Sequence, residues 1–235
     1  MKIISNEKTI KRNSKIGTYT SVASLVILVG GMVISFLYTN QIYLSFLALL
    51  IGFILSQVGI YFGNRWGRHP RIDERLTTSL KGLTKDYSLY HYLSPVNHLL
   101  VGPAGIWILE SYYQRGTIVY EKGKWHQKGG GFFLSYLKIF AQEGLGRPDL
   151  ETQADLDNLY KFVSDKLGNE EKIPEINAIL VFTNDQAILE TEGSPIPAIK
   201  IDQLKEFIRT IGKKTSLPAN EIKKINDLFP QESIT

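Results

Sequence analysis

The longest stretch of this 235-residue chain without a charged side chain runs from Ile16 to Asn64. Its 49 residues are dominated by Leu, Ile, Val, Phe, Gly and Ser, and they divide into two segments of 21 residues, 18–38 and 42–62. A helix of about 20 apolar residues spans the roughly 30 Å hydrocarbon layer of a bilayer. Because only Thr39-Asn40-Gln41 connects the segments, the sequence predicts a transmembrane helical hairpin over residues 18–63.

Two other interpretations of this stretch are weaker. A buried helical pair in a soluble core is disfavoured, because two successive uncharged runs of this length are rare in water-soluble proteins. A cleavable signal peptide is disfavoured, because the first run exceeds a typical apolar region and no Ala-x-Ala site follows it. Gly59 and Gly63 form a Gly-xxx-Gly pair, which favours close approach of two membrane helices.

The charges on either side of this stretch predict its orientation. Residues 1–17 form a basic tail that holds five Lys or Arg residues and one acid, whereas Arg65, Arg68 and Arg71 follow the second segment. Basic flanks stay on the cytoplasmic side of a membrane. We therefore expect an integral membrane protein with both termini in the cytoplasm, in the plasma membrane of a prokaryote.

Residues 64–235 have the pattern of a soluble α/β domain on the cytoplasmic side. Apolar periodicity and turn residues predict its elements in chain order. These are a helix from Ile72, strands over 87–93, 97–101 and 106–110, a hairpin of 117–120 and 124–126, a flexible loop at Gly129-Gly130-Gly131, a helix over 149–166, a strand buried on both faces over 176–182, a short strand over 198–201, and helices over 202–211 and 218–228, capped by Asp202 and Ser216.

One motif in this domain resembles a known family. The stretch 96–112 reads Val-Asn-His-Leu-Leu-Val-Gly-Pro-Ala-Gly-Ile-Trp-Ile-Leu-Glu-Ser-Tyr. It is similar to the core of the nuclease-related domain, NERD, in which Ile-Asp-His, Gly-Pro-x-Gly and Glu-x-Lys occur in this order. Further matches are Glu74, Gly116, Trp125 and Gln153. The resemblance implies a restriction-endonuclease-like α/β fold of the PD-(D/E)xK type, a mixed sheet flanked by helices, with its core at about 71–184.

The resemblance also implies the positions of a site. It places catalytic positions at Glu110, Glu74, Asn97, Tyr112 and Gln153, with Glu110 and Asn97 as the metal ligands of a functional site. Carboxylates would hold Mg²⁺, which activates water, and a Lys would stabilise developing charge. This sequence has Asn97 in place of the metal-binding Asp and Tyr112 in place of the Lys. The motif therefore predicts a degenerate site with no cofactor, and Mg²⁺ only if the site still works.

Three functions remain open from the residues. The first is a nuclease-related domain that has lost cleavage and binds a partner at the membrane face; the second is a divergent metal-dependent nuclease using Glu110 and Glu74; the third is a structural membrane assembly protein. Residues 64–235 hold 22 basic and 22 acidic side chains, so they lack the positive excess of most nucleic-acid binders. This balance favours a protein partner over nucleic acid and leaves the oligomeric state open.

Other residues define narrower expectations. The absence of Cys excludes disulfides, Cys-ligated zinc and thiol catalysis. His91 and His98 are expected to pack or to face solvent, because no second His or acid lies at a ligand spacing along the chain. Tyr90 and Tyr92 are predicted to share one face of their strand. There they are expected to pack against a helix, and a small base-stacking surface is the weaker alternative.

Overall fold

The computed structural model describes residues 1–128, 144–168 and 173–235, so the predicted loop at Gly129-Gly130-Gly131 lies outside the described residues. The chain divides into a helical unit, Lys8–Arg71, and an α/β unit that contains Met1–Glu7 and the described residues from Ile72 onward. The α/β unit is therefore discontinuous in sequence, because the helical unit is inserted after its first seven residues.

The helical unit contains two long helices, α1 over Glu7–Leu37 and α2 over Ile42–Phe62. A 3-10 turn at Thr39–Gln41 joins them, and a π-helical turn at Gly63–Gly67 follows α2. Both helices are long and apolar enough to cross a membrane, and only 11% of each apolar window is buried. A helical pair in a soluble core would be mostly buried, so the exposed Leu, Val and Phe side chains favour candidate membrane spans.

Small residues line the contact between α1 and α2. The Ser24 hydroxyl donates a hydrogen bond to the carbonyl oxygen of Gly52, at 2.8 Å. Gly59 faces Ser21 so closely that a Cβ at this glycine would lie 3.0 Å from the Ser21 backbone nitrogen. Gly17 faces Gly63 in the same way. The predicted role in helix approach is therefore confirmed for Gly59 but not for Gly63, where an added Cβ would meet nothing within 4 Å. Small residues on α1, among them Gly17, Ser21 and Ser24, complete this seam between α1 and α2.

This seam predicts opposite effects for two glycine substitutions. Gly59→Ala should destabilise the helical pair by about 1–3 kcal/mol, because the added methyl group meets backbone atoms of α1 that cannot move independently. Gly30→Ala is the matched control, since a Cβ there meets nothing within 4 Å and alanine favours the helix by up to about 1 kcal/mol. Unfolding of the full chain in mixed micelles at rising SDS fraction, followed by circular dichroism, measures both. Equal effects of the two substitutions would contradict the close contact assigned to α1 and α2 at Gly59.

The α/β unit contains nine strands and four helices among the described residues. The strands are β1 Lys2–Ser5, β2 Ser88–His91, β3 His98–Gly102, β4 Gly105–Tyr112, β5 Gly116–Glu121, β6 Lys124–Lys128, β7 Ile176–Phe182, β8 Ala187–Glu190 and β9 Ala198–Lys200. The helices are α3 Ile72–Ser79, α4 Pro148–Leu167, α5 Leu204–Lys214 and α6 Ala219–Asn226. A 3-10 turn at Ile201–Gln203 precedes α5.

Six strands form a mixed sheet in the order β1-β2-β3-β4-β7-β9. The meander β2-β3-β4 is antiparallel, whereas β1 lies parallel to β2, and β4, β7 and β9 are parallel to one another. A smaller sheet has the order β6-β5-β8, and its β5–β6 hairpin turns at Lys122 and Gly123, both with positive φ. The predicted α/β class with a mixed sheet and helices is confirmed.

Helices cover both faces of the six-stranded sheet. On one face, Leu99, Val101, Ile106 and Ile108 pack with residues of α4 and α6. On the other face, Leu89, Leu100, Trp107 and Leu109 pack with residues of α3 and α5. Strand β7 lies inside the sheet, between β4 and β9, and is almost wholly apolar, as predicted. Its side chains belong to hydrophobic clusters on both faces of the sheet.

The structure corrects several local predictions. Residues 2–5 of the expected tail form strand β1, and Ile4 is only 1% exposed. Strand β8 was not predicted. The caps at Asp202 and Ser216 are wrong, because α5 and α6 follow Gln203 and Pro218 without a side-chain cap. The shared strand face of Tyr90 and Tyr92 is also wrong: Tyr90 is buried against Phe229, and Tyr92 lies beyond β2 with φ 58°.

Candidate functional site

Tyr112, at the position where the family motif has Lys, is a buried residue at the end of β4. Its ring stacks on Phe182 with centroids 5.5 Å apart, and its hydroxyl donates a hydrogen bond to Oε2 of Glu151 at 3.0 Å. Burial, followed by the negative charges of Glu151 and Glu110, raises the pKa of Tyr112. The side chain is therefore neutral at physiological pH and acts as a hydrogen-bond donor, whereas a Lys would supply a positive charge.

Glu151 holds two elements together at this point. It lies in the first turns of α4, and its Oε1 accepts a hydrogen bond from the backbone N–H of Arg147 at 3.2 Å. Such an acceptor satisfies an otherwise unpaired donor at the start of a helix. Through its second oxygen, Glu151 ties the beginning of α4 to Tyr112 on β4. The motif comparison missed Glu151; its only signal was an acid in the first turns of a helix that begins with Pro148.

Glu110 lies on the same face of β4 as Tyr112, because side chains two residues apart on a strand point to the same side. It is half-buried. Asp155, one turn further along α4 than Glu151, adds a third negative charge that acts on Tyr112. Among the described residues, the charged groups that shift the pKa of Tyr112 are therefore all acidic.

Two further motif positions, Asn97 and Gln153, are exposed, unlike Tyr112. Asn97 is exposed just before β3, and its carbonyl oxygen accepts the backbone N–H of Tyr92 at 2.8 Å, which closes the β2–β3 connection. The antiparallel pairing of β3 with β4 ends at Leu99 and Ile108. If the same register were continued by two residues, Asn97 would lie opposite Glu110. Gln153 is exposed on α4 and donates to Oδ1 of Asp157 at 2.8 Å, as a pair on one helix surface.

Glu74 is separated from this group. It lies on α3, whose Leu76 and Leu80 pack on the sheet face with Leu109, opposite the face that carries Glu110 and Tyr112. Within residues 1–128, 144–168 and 173–235, no three His, Asp or Glu side chains are grouped so that they could hold a metal ion.

The spacing of residues along the sequence showed no sign of a buried histidine pair. His91 and His98 are directly opposed in the antiparallel β2–β3 register and are only 1% and 3% exposed. Their Nδ1 atoms lie 2.9 Å apart, and Nε2 of His91 lies 3.0 Å from the Thr77 hydroxyl. One Nδ1 must donate and the other accept, so this contact holds a single proton. The expectation that these histidines pack is confirmed. Spacing along the chain did not indicate that they pack against each other, because strand pairing brings the rings together.

Comparisons with protein-family models, with curated proteins and with solved structures found no match. The likeness to the nuclease-related domain therefore depends on the motif residues in the sequence.

The Tyr112–Glu151 contact predicts a measurable loss of stability. Tyr112→Phe should lower the free energy of unfolding of the α/β unit by about 1–3 kcal/mol, because it removes a hydrogen bond to a charged acceptor. Tyr113→Phe is the matched control, since the Tyr113 side chain is 56% exposed. Urea unfolding of the full chain in micelles, followed by near-ultraviolet circular dichroism, measures both variants. Equal losses for the two would contradict the assigned contact.

The same pair has a pH dependence with a definite sign. The pKa of Tyr112 is raised in the folded state, so the unfolded chain loses this proton at a lower pH than the folded chain. The stabilisation is complete below the ordinary tyrosine pKa of about 10 and declines above it. The stability difference between the native chain and Tyr112→Phe should therefore shrink as the pH rises beyond that value.

Proposed function

We propose that this chain is a membrane-anchored, nuclease-related protein whose α/β unit binds a partner without cleaving phosphodiesters. The observation that carries this proposal is Tyr112, a neutral side chain that donates to Glu151 at the position where the related nucleases have a cationic Lys. A Lys at that position would stabilise negative charge in the transition state, and the loss of one such group typically costs about 10²–10³ in rate. The mixed sheet with helices on both faces supports the implied fold.

The charge around Tyr112 supports a protein partner over nucleic acid. Glu110, Glu151 and Asp155 each add negative charge there, so a phosphate backbone approaching this face of β4 and α4 would be repelled. Binding of nucleic acid depends on Lys and Arg side chains that neutralise phosphates. A basic segment of another protein has the complementary charge. We therefore propose a cationic protein surface as the partner at this face.

Cleavage and binding assays test this function. The full chain is used, because residues 2–5 complete the sheet and a fragment beginning at residue 64 would lack β1. In micelles with Mg²⁺ or Mn²⁺, we expect no cleavage of single- or double-stranded DNA or of RNA, and no salt-dependent binding of any of them. Glu110→Gln serves as the control. Cleavage by the native chain that disappears in Glu110→Gln would establish a working nuclease and overturn the proposal.

We propose further that α1 and α2 cross the membrane with both ends in the cytoplasm. Strand β1 precedes α1 and pairs with β2, which follows α2. Paired strands lie about 5 Å apart and cannot be separated by a bilayer, so the chain between them crosses an even number of times. The basic residues that flank both helices support the cytoplasmic side for these ends.

The cysteine-free sequence makes this orientation directly testable. Single Cys variants at Ile3, Asn40 and Ser216 are treated with a membrane-impermeant maleimide in intact and in permeabilised cells. We expect Asn40→Cys to react in intact cells, and Ile3→Cys and Ser216→Cys to react only after permeabilisation. Reaction of Ile3→Cys and Ser216→Cys in intact cells, with Asn40→Cys protected, would reverse the orientation. Different behaviour of Ile3→Cys and Ser216→Cys would contradict the shared compartment.

A further inference from the structure

Helix α1 is longer than a membrane span requires. Its 31 residues correspond to about 46 Å at 1.5 Å per residue, whereas the hydrocarbon layer is about 30 Å thick and the whole bilayer with headgroups about 40–45 Å. The uncharged part begins at Ile16, so the nine residues Glu7–Lys15 add about 14 Å of helix before it. If the uncharged part crosses the hydrocarbon layer, this segment lies at the depth of the headgroups.

The side chains of this segment are arranged by charge around the helix. Lys8, Lys11, Arg12 and Lys15 follow the spacing i, i+3, i+4, i+7 and therefore lie on one face of α1. All four are exposed, whereas Ile10 and Asn13 on the opposite side are buried. We call this row of four cations the basic stripe. Its lysines and arginine project outward while the other side of the helix is packed.

The end of α2 adds two more cations beside the basic stripe. Gly17, two residues after Lys15, contacts Phe62 and Gly63, so the two helices meet at this level. Arg65 and Arg68 follow Gly63 and are exposed. The Arg65 guanidinium lies 4.5 Å from the centre of the Tyr61 ring and donates to the Tyr61 hydroxyl at 2.8 Å. Tyr and Trp side chains are typical of the membrane–water interface, which agrees with a position at the headgroups.

These six cations have little local neutralisation. Glu7 is the only acid in the first seventeen residues. Across the parts of the chain that the structure describes, none of the six forms an ion pair within 4.0 Å. The exposed surface next to them, along α1 and α2, is apolar. A ligand that fits both features carries negative charge and attaches to an apolar body, which is the chemistry of an anionic phospholipid.

We propose that the basic stripe, together with Arg65 and Arg68, binds the headgroups of anionic phospholipids and so enriches them around the helical unit. The proposal rests on the membrane anchoring proposed above. A basic side chain near an anionic membrane surface contributes a factor of about five in affinity. Several cations acting together are therefore expected to give a preference for phosphatidylglycerol over phosphatidylcholine of at least about fivefold.

The test measures lipid preference with the full chain reconstituted into vesicles. Spin-labelled phosphatidylglycerol and phosphatidylcholine with the same acyl chains report, by electron paramagnetic resonance, how strongly each associates with the protein. We expect the preference to fall most of the way toward one when Lys8, Lys11, Arg12 and Lys15 are all changed to Gln, and Arg65 and Arg68 to account for the remainder. Changing Lys85, Lys213, Lys214 and Lys223 to Gln removes the same charge from the α/β unit and is expected to leave the preference intact.

Two further measurements distinguish a loss of charge from a loss of stability, and binding of lipid headgroups from binding of free phosphate. Exchanging Lys for Arg and Arg for Lys in the basic stripe keeps the charge and should keep the preference, whatever the stability of the Gln variant. Soluble glycerol phosphate should not compete; if it abolishes the preference, the stripe is a site for free phosphate and the proposal is wrong. A native chain that floats with pure phosphatidylcholine vesicles but shows no preference also overturns it, whereas a chain that does not float contradicts the anchoring itself.

Discussion

The parallel pairing of β1 with β2 is the interaction on which the organisation of this chain depends. Lys2–Ser5 matches Ser88–His91 residue for residue, and Ile4 enters the same core as Tyr90 and Leu99. The whole helical unit lies between these two strands in the sequence. Both ends of the helical pair must therefore return to one sheet. In the membrane anchoring proposed above, this pairing requires α1 and α2 to cross the bilayer together, since paired strands cannot be divided by a hydrocarbon layer.

The helical unit and the α/β unit differ in the sign of the charges near their candidate functional residues. One end of the helical unit presents exposed cations, Lys8 to Lys15 and Arg65 with Arg68. Tyr112 in the α/β unit is surrounded by the acids Glu110, Glu151 and Asp155. A net charge of +4 for the whole chain therefore describes neither region. The basic excess belongs to the helical end, where anionic lipid is the proposed partner, whereas the acids around Tyr112 are the basis for proposing a cationic protein partner instead of a polyanion.

Sequence patterns predicted the elements whose signal is local. Strand β7 is apolar except for Asn177, and α4 has apolar residues at helical spacing. The Lys122-Gly123 turn permits the positive φ values of a tight hairpin. Of the motif positions, Glu110 and Tyr112 lie on β4, and Asn97 directly precedes the neighbouring strand β3. The motif failed for Glu74, because order along a chain does not indicate which face of a sheet a helix covers. Here α3 packs opposite the face of Glu110.

The sequence by itself determined the two candidate spans, the basic flanks beside them and the neutral residue at the Lys position of the motif. These are properties of composition over a short stretch, and no distant contact is needed to recognise them. Only the tertiary structure decided that Lys2–Ser5 is a strand, that His91 meets His98, and that Glu151 holds Tyr112. Such contacts depend on which strands pair and which helix packs on which face. The β1–β2 partners are 86 residues apart in sequence, and four residues with one buried isoleucine carry too little pattern to identify a strand without its partner.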